Sequence, residues 1–420
     1  MKSDAVVVGA GLSGLVAALR LAEGGLKTTL VAQGVGSTHL SPASIDVLGY
    51  TPELVESPAG ALPAFRTEHP EHPYACLSLE LIEESVAWFR ERTEILGYTG
   101  SLEENLLVPT AAGVPAPTAI VPASMAAGDL RSGGHFAFVG LRAMKSFHPA
   151  YLAENLVQAK LPSGAAVEAR AVLVSDPGVE PDVGALDYAR AFEDPAFRRA
   201  VASELKVHLQ PGESVGFPAV LGLDRHAEVR RELEDALERP VFEVPGLPPS
   251  VPGIRLFRAL RAAFRRAGGR WVMGAMVVGA STSDGSVTSL SVRAAASRTS
   301  AYEGRWFVLA TGGFASGALH LDSYGEVRET VFGLPVWGVP PVEEPRFLPG
   351  VFDDHPMAKA GLAVDERLRP LGPDGAAAFD NLFAAGAVLA GAEPWRERSG
   401  NGLALATGFA AASHILEDAS

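Results

Sequence analysis

The sequence predicts an α/β fold: a parallel sheet between helices, with an α+β region inserted into it as a cap. Three observations indicate this fold. A strand–glycine–helix–strand unit opens the chain, an apolar strand with a glycine-rich end lies at residues 305–317, and another begins at residue 381 and leads into a helix. Because 420 residues exceed a typical single domain, two domains are expected.

The order of these segments predicts a discontinuous nucleotide-binding domain. We place it at residues 1–60, 251–316 and 375–420. The remaining residues, 61–250 and 317–374, are rich in proline and charge. We expect them to form the cap, which would face the substrate or a partner.

The first 33 residues predict a complete βαβ beginning. Residues 4–8 contain four consecutive apolar residues, which is typical of a buried strand, and residues 12–21 carry apolar side chains at helical spacing. Two glycines at 24–25 end the helix, and residues 27–32 predict the second strand. The order and lengths are those of a Rossmann-like nucleotide-binding unit.

A glycine fingerprint lies between the first strand and the first helix. Gly9 permits the tight turn, Gly11 lets the backbone approach a pyrophosphate, and Gly14 lets the helix pack close to the sheet. The first helical turn, with Leu12 and Ser13, offers unpaired N–H groups and partial positive charge to phosphates. We therefore expect a bound dinucleotide, rather than a glycine-rich turn with only a structural role.

Gln33 stands where a carboxylate usually binds the ribose hydroxyls. Its amide oxygen still accepts a hydrogen bond, but without the assistance of a charge. Either the adenosine end is held less firmly, or the ligand is a shorter flavin. No nearby arginine is placed to bind a 2′-phosphate, so NADP is not expected.

The loop after the second strand, residues 36–49, is rich in small hydroxyl side chains. It follows directly from the nucleotide unit, and such loops commonly wrap the flavin and its phosphates in flavoproteins. Ser37, Ser41 and Ser44 are therefore candidate cofactor contacts. The alternative is a solvated loop of turn-forming residues.

Two later segments resemble the nucleotide-contacting segments of FAD-dependent oxidoreductases of the glutathione-reductase-like type. They add these candidate flavin contacts: Thr311, Gly312, Gly313, Gly386, Asn401, Gly402 and Leu403. Asn401 is the predicted N-cap of the last helix. By this resemblance the helix points its N-terminus at the flavin's pyrimidine edge, where it would stabilise negative charge by up to ~2 kcal/mol. Ala387 departs from the pattern, because many relatives carry an acidic residue there.

Composition limits the classes of function. A net charge of −14 argues against a nucleic-acid partner, because a phosphate backbone requires a basic surface. The single cysteine, Cys76, can form neither an internal disulfide nor an iron–sulfur site, and we expect it to be a small core residue. No metal is expected in this chain. Neither a signal peptide nor an apolar run of about 20 residues is evident, so a cytoplasmic protein is expected.

Six motifs carry a resemblance to one protein family. They are HLSPASIDVLG at 39–49, LPPSVPGIRLFRALRAAFRRAGGRWVMGAMV at 247–277, FVLATGGFASGAL at 307–319, VRETVFGLPV at 327–336, GLAVDERLRP at 361–370 and NLFAAGAVLAG at 381–391. In this order they resemble the B subunit of anaerobic glycerol-3-phosphate dehydrogenase. Residues 60–210 match that family only loosely, and the SGNG at 399–402 departs from its triple-glycine run.

The resemblance implies that this chain is a flavoprotein subunit of a respiratory dehydrogenase. Its partners would be a flavin-bearing A subunit and an iron–sulfur C subunit. Together these proteins would oxidise sn-glycerol 3-phosphate to dihydroxyacetone phosphate and pass electrons to quinone. The chain would lie at the inner face of the cell membrane, which it would reach only through its partner. The family is usually credited with FMN, whereas the fingerprint favours FAD; we expect FAD and keep FMN as the alternative.

Candidate catalytic residues follow from the chemistry of a phosphorylated alcohol. Arg255, inside the most specific motif, and Arg328 are candidate clamps for the phosphate. His39 and His355 are candidate bases for the hydroxyl proton, although each could instead be a structural or exposed histidine. The acidic pair before His355 is too compact to predict a metal site.

Two other functions stay open at the level of sequence. The chain could be a non-catalytic electron-relay or docking flavin subunit of the same complex. It could also be a free-standing FAD-dependent oxidoreductase of another small hydroxy acid or alcohol. The proline-rich residues 335–349, with Trp337 among them, are a candidate docking surface or a loop with a buried tryptophan.

Overall fold

The fold is that of a computed structural model, which describes residues 2–175, 183–294, 298–351 and 353–420. The strands are β1 Ala5–Val8, β2 Thr28–Ala32, β3 Thr99–Gly100, β4 Leu106–Pro109, β5 Pro115–Thr118, β6 Ile120–Val121, β7 Gly134–Leu141, β8 Val167–Val174, β9 Ser214–Pro218, β10 Val241–Val244, β11 Arg270–Met273, β12 Ala275–Ser283, β13 Ser286–Ala294, β14 Thr299–Glu303, β15 Trp306–Leu309, β16 Leu319–Leu321, β17 Val327–Glu329 and β18 Leu382–Ala384. The helices are α1 Leu12–Glu23, α2 Pro58–Glu68, α3 Leu79–Arg92, α4 Pro149–Val157, α5 Ala185–Ala191, α6 Pro195–Lys206, α7 His226–Leu237, α8 Val251–Arg266, α9 Pro394–Glu397 and α10 Gly400–Ala419.

The main sheet is parallel, with the strand order β11-β2-β1-β15-β18. Val6 pairs with Phe307 on one side and with Thr29 on the other. Strands β1, β2, β15 and β18 are buried along their whole length, as expected where both faces of a parallel sheet are covered. The predicted βαβ beginning and the Rossmann-like α/β class are confirmed.

Helices α1, α8 and α10 pack against this sheet. α10 lies so close to α1 that a Cβ at Gly408 would approach the carbonyl oxygen of Ser13 to 2.5 Å. In α8 the predicted inward positions Leu256, Leu260 and Phe264 are all fully buried, because their spacing of four places them on one helical face. Strands β12, β13 and β14 form an antiparallel sheet that follows β11 in the chain.

The inserted region contains a second parallel sheet, with the order β10-β9-β7-β8. Its core contains Phe138, Phe217 and Phe242 together with side chains from α4, α5, α6 and α7. The pairs β3–β6, β4–β5 and β16–β17 are antiparallel. The cap therefore mixes parallel and antiparallel pairing.

The hydrophobic core of the main sheet extends beyond the predicted domain boundary at residue 60. Side chains of α2 and α3 belong to it, and Trp88 of α3 contacts Phe409 of α10 with 5.6 Å between ring centroids. The core also includes Ile120 and, from the second predicted cap segment, Leu362. The second core begins near residue 107, so α2 and α3 pack with the nucleotide-binding sheet rather than with the cap.

Candidate functional site

The predicted cofactor residues lie at the carboxyl edge of the main sheet, where ligands bind in open α/β folds. At Gly9, with φ of +113°, a Cβ would lie 2.0 Å from the carbonyl oxygen of Ala310, which follows β15. At Gly14 a Cβ would lie 2.1 Å from the carbonyl oxygen of Gly9. Both glycines are therefore required by close packing of the turn against its neighbours.

Gly11 has a different environment. A Cβ at this position would have no heavy atom within 4 Å, so open space lies in front of it. Gly11 is the N-cap of α1, no side chain caps this end, and the first turn carries no acidic residue. The first-turn N–H groups, including those of Leu12 and Ser13, adjoin this opening, which fits the pyrophosphate of FAD.

The loop after β2 lies against the fingerprint. Gly36, with φ of +69°, is so close that a Cβ there would lie 2.7 Å from the Cα of Gly11. Gln33 and Ser37 are exposed on either side of it. Gln33 directly follows β2, which is the position expected for a group that contacts a ribose.

Asn401 joins this loop to the last helix. Its Nδ2 donates to Oγ of Ser41 at 2.6 Å and to the carbonyl oxygen of Ser44 at 2.7 Å. The prediction that Asn401 is the N-cap is wrong, because α10 begins at Gly400 and its N-cap is Ser399. The amide instead holds the serine-rich loop against the first turn of α10.

The N–H groups of the next two residues are already engaged within the protein. The N–H of Gly402 donates to the carbonyl oxygen of Asp46 at 3.0 Å, and that of Leu403 donates to Ser399 at 2.7 Å. The side chain of Leu403 is buried in the core. These two residues therefore shape the start of α10, and their role as flavin contacts stays a prediction.

The turns after β15 and β18 meet each other at the same edge. A Cβ at Gly313 would lie 3.2 Å from the carbonyl oxygen of Ala387, and one at Gly386 would lie 2.4 Å from Oγ of Ser13. Gly312 has φ of +81°. The structure thus brings Gly386 to the fingerprint helix and Gly313 to the turn that follows Gly386, as a shared nucleotide site requires.

Several polar atoms near this edge are buried without a hydrogen-bond partner. They are Oγ1 of Thr38, Nε2 of His39, Oδ1 of Asp46 and Oγ1 of Thr311. A buried polar atom is costly unless it is hydrogen-bonded, so these atoms are suited to a polar ligand. Asp46 was not among the sequence candidates, because a single acidic residue in a loop carries no recognisable pattern.

His39 lies in the 3₁₀ helix Ser37–Leu40, and its ring packs edge-on against Phe257 with 4.6 Å between centroids. Burial, followed by the charges of Arg258 and Arg261, lowers the pKa of His39. The imidazole is therefore neutral at pH 7 and able to accept a proton. Its role as a base stays a prediction.

Arg255 is not available as predicted. Its guanidinium forms a buried ion pair with Glu243 and donates to the carbonyl oxygen of Gly222 from Nε at 2.8 Å. These contacts join α8 to the inserted sheet. The expected anion clamp is therefore corrected to a structural ion pair that holds α8 against the inserted sheet.

His355 is also engaged within the protein. Its Nδ1 accepts from the N–H of Leu348 at 3.0 Å, and its Nε2 lies 3.3 Å from the carbonyl oxygen of Val351. With one nitrogen accepting and the other facing a carbonyl, the ring stabilises its own loop, and its role as a base stays a prediction. Arg328 is exposed on β17, opposite His320 in the hairpin, and its role stays a prediction.

A buried network supports the segment before α10. Nε2 of His72 lies 3.3 Å from Oε2 of Glu397, and the same oxygen accepts from Oγ of Ser399 at 2.7 Å. Next to it, the guanidinium of Arg398 lies 3.2 Å from Oδ2 of Asp46. Sequence reasoning missed these residues, because His72 and Glu397 are 325 positions apart.

The described residues contain neither a metal centre nor a membrane span of recognisable form. No group of three or more His, Cys, Asp or Glu side chains within them could hold a metal ion. In the same part of the chain, no helix combines the length and apolar character needed to cross a bilayer.

Comparisons with known proteins give one consistent set of relatives. A family model described as a FAD binding domain matches residues 4–403. The probable B subunit of anaerobic glycerol-3-phosphate dehydrogenase from Halobacterium salinarum is 36% identical, over 99% of this chain and 98% of its own length. The B subunit of the same enzyme from Yersinia pestis is 30% identical, over 100% of this chain and 99% of that protein. The B subunit from Aliivibrio fischeri is 28% identical, over 99% of this chain and 96% of that protein.

Solved structures give more distant matches. The 3-ketosteroid delta1-dehydrogenase of Sterolibacterium denitrificans has a TM-score of 0.48 at 11% identity, over 99% of this chain and 100% of that one. A flavocytochrome c3 fumarate reductase in its open conformation has a TM-score of 0.47 at 11% identity, over 100% of this chain and 78% of that one.

Proposed function

Since the chain belongs to the FAD-binding domain family, and within it to the B subunits of anaerobic glycerol-3-phosphate dehydrogenase, we propose that it oxidises sn-glycerol 3-phosphate to dihydroxyacetone phosphate. The resemblance inferred from the six motifs is confirmed. The family match supports a flavin-dependent oxidoreductase with FAD as its cofactor, which was the expectation from the glycine fingerprint. The substrate and the acceptor belong to the proposal.

The observation that carries the cofactor assignment is the open space at Gly11, in front of the N-terminus of α1. Gly11, Leu12 and Ser13 would hold the pyrophosphate through backbone N–H groups, and the loop with Ser41 and Ser44 would lie beside the flavin. Bound FAD supplies a two-electron acceptor for the hydride of a secondary alcohol. The half-buried, neutral imidazole of His39 is able to take the hydroxyl proton.

We propose that electrons then leave towards quinone through two partner proteins, a flavin-bearing A subunit, and an iron–sulfur C subunit. One cysteine cannot ligate a cluster, so iron–sulfur clusters would come from a partner. The chain would be cytoplasmic and would reach the inner face of the membrane through that partner. Trp337 and Phe347 are exposed to solvent by 43% and 62%, which supports residues 335–349 as part of the docking surface.

One alternative is favoured by a specific observation. Arg255 and His355, two of the four expected catalytic residues, make internal contacts, which is what a non-catalytic relay or docking flavin subunit would show. Anaerobic stopped-flow mixing of the purified yellow chain with glycerol 3-phosphate separates the two functions. Bleaching of the flavin by the isolated chain supports direct oxidation. A flavin that stays oxidised until the flavin-bearing partner is added supports the relay.

The same preparation tests the cofactor and the partner. Chromatography of the released flavin is expected to give FAD, and release of FMN alone would overturn the pyrophosphate assignment at Gly11. Co-expression with a cluster-bearing partner is expected to move the protein into the membrane pellet. Sustained turnover by the lone chain with soluble acceptors and another hydroxy acid or alcohol would instead indicate a free-standing oxidoreductase.

A further inference from the structure

A cluster of two cations and two carboxylates lies beside the loop between β18 and α9. Lys359 and Asp354 come from one segment, and Glu393 and Arg396 from the other. The two segments are joined where the N–H of Gly391 donates to the carbonyl oxygen of Lys359 at 2.9 Å. The segment with Glu393 and Arg396 comes after β18 of the main sheet, and the carboxyl ends of such strands are where open α/β sheets bind their ligands.

Glu393 is buried at the base of this cluster. Its side chain is 7% exposed, and its Oε1 is buried without a hydrogen-bond partner. Its other oxygen, Oε2, lies 3.6 Å from Nζ of Lys359 and 3.7 Å from Nη1 of Arg396. Burying a carboxylate with such loose pairing is costly, which favours the protonated form.

The charges around Glu393 come from both segments. Burial is the largest influence and raises the pKa of Glu393, and the carboxylates of Asp354 and Glu397 raise it as well. Lys359 and Arg396 act in the opposite direction. The net result is a carboxyl group with a raised pKa between two cations.

The two cations are only loosely paired. Arg396 lies 3.3 Å from Asp354, and Lys359 lies 4.0 Å from the same oxygen. Elsewhere in the chain, the pair Arg170–Glu213 closes to 2.6 Å. The side chains of Lys359 and Arg396 are each 37% exposed, so part of each cation faces solvent. An incoming anion could therefore reach both without unfolding the segment.

We propose that Lys359 and Arg396 bind the phosphate of a phosphate-monoester substrate, and that this phosphate competes with the carboxylate of Glu393 for the two cations. Identifying the anion as the substrate's phosphate rests on the proposed function. Two cations within reach of one buried carboxyl provide the charge-assisted hydrogen bonds that a dianion prefers. When the dianion binds, Glu393 takes up a proton from solvent, which removes the repulsion between the two negative groups.

Hydrogen bonds along the chain connect this site to the start of α10, which is the candidate flavin edge. The N–H of Glu393 donates to Oε1 of Glu397 at 2.8 Å, and Oε2 of Glu397 accepts from Ser399, the N-cap of α10. An anion bound at Lys359 and Arg396 therefore sits next to the segment that starts this helix.

The test is calorimetric titration of the purified, flavin-containing chain with sulfate and with glycerol 3-phosphate. Lys359→Gln and Arg396→Gln are each expected to weaken binding of both anions about tenfold, because each removes a charge-assisted hydrogen bond. Arg265→Gln, on the exposed face of α8, is the matched control and is expected to bind both anions like the wild type. Equal binding by the wild type and the three variants would overturn the assignment. So would a loss of affinity in Arg265→Gln as large as that in the other two variants.

A second variant tests the role of Glu393. Sulfate keeps its charge between about pH 5 and 8, so a loss of wild-type sulfate affinity as pH rises reports ionisation of the protein. Glu393→Gln is expected to bind sulfate more tightly at the upper end of this range and to flatten the pH profile. A variant profile that follows the wild type would remove Glu393 from the site. Thermal unfolding of each variant shows whether its fold is intact.

These outcomes separate the anion site from the proposed function. If both anions bind with this dependence but glycerol 3-phosphate leaves the flavin oxidised, the anion site stands and direct oxidation fails. If the Lys359 and Arg396 variants bind glycerol 3-phosphate normally and their flavin is still bleached by it, direct oxidation stands and the anion site fails.

Discussion

The guanidinium of Arg255 meets the carboxylate of Glu243 through two hydrogen bonds, 2.6 Å from Nη1 to Oε2 and 2.9 Å from Nη2 to Oε1. Both side chains are buried, and they join α8 of the main domain to β10 of the inserted sheet. The same arginine lies in the motif that most specifically marks the family. Its place in the motif is therefore explained by how α8 is held against the inserted sheet.

Removing one partner of this pair is expected to be costly. Arg255→Leu leaves the Glu243 carboxylate buried without its cation, and we expect a loss of about 3–5 kcal/mol in the free energy of unfolding. Arg258→Gln is the matched control, because Arg258 pairs with Asp224 at an exposed site and should cost no more than about 1 kcal/mol. Urea denaturation followed by circular dichroism measures both. Equal midpoints for the two variants would contradict a structural role for the pair.

Alanine substitutions at two of the fingerprint glycines are expected to have different effects, one on stability and the other on FAD binding. Gly14→Ala places a methyl group against the carbonyl of Gly9 and should destabilise the fold by about 1–3 kcal/mol or more. Gly11→Ala meets no protein atom, so the fold should be retained while FAD is bound more weakly, by about tenfold. Flavin content and thermal unfolding, measured together, distinguish these results. A Gly11→Ala protein that holds FAD as firmly as the wild type would contradict the pyrophosphate site.

Gln33→Glu restores the carboxylate that dinucleotide-binding units usually have after the second strand. Because Gln33 is exposed, the substitution should leave stability unchanged. A charge-assisted hydrogen bond to the ribose is expected to tighten FAD binding by about tenfold. FMN has no adenosine, so its affinity should not change. Reconstitution of the flavin-free protein with each cofactor gives both values, and an equal effect on the two would place the ribose elsewhere.

His226 is expected to make stability depend on pH. Burial, followed by the charge of Arg255, lowers the pKa of His226 to about 4 from its ordinary value of 6.5. Between these values the unfolded chain binds the proton more readily, so stability is complete above about pH 6.5 and decreases as the pH falls towards 4. The whole change corresponds to about 3 kcal/mol.

Urea denaturation at several pH values between these limits tests this linkage. Protonation of buried carboxylates such as Glu243 also destabilises the fold in acid. The informative quantity is therefore the difference in the free energy of unfolding between His226→Gln and the wild type. That difference should shift in favour of the variant as the pH falls. The exposed His320→Gln is the control, and a parallel pH dependence in all three proteins would contradict the expectation.

Much of the fold could be predicted because its signals are local. The βαβ beginning, the buried face of α8 and the glycine-ended strands depend on periodicity and turn chemistry within about 30 residues. The family motif likewise extends over one continuous segment. The predicted cofactor residues converge on one edge of the sheet for the same reason, since the carboxyl ends of parallel strands meet there.

Only the tertiary structure decided which polar side chains remain available for chemistry. The sequence determined that Arg255 starts a helix and that His355 follows two acidic residues, but it held no information on the partners that engage them. His72 and Glu397 meet across 325 positions, and Asn401 contacts the serine loop instead of capping its helix. Such pairs depend on how separate elements pack, because a buried polar atom is stabilised by a hydrogen-bond partner that only the packing brings within reach.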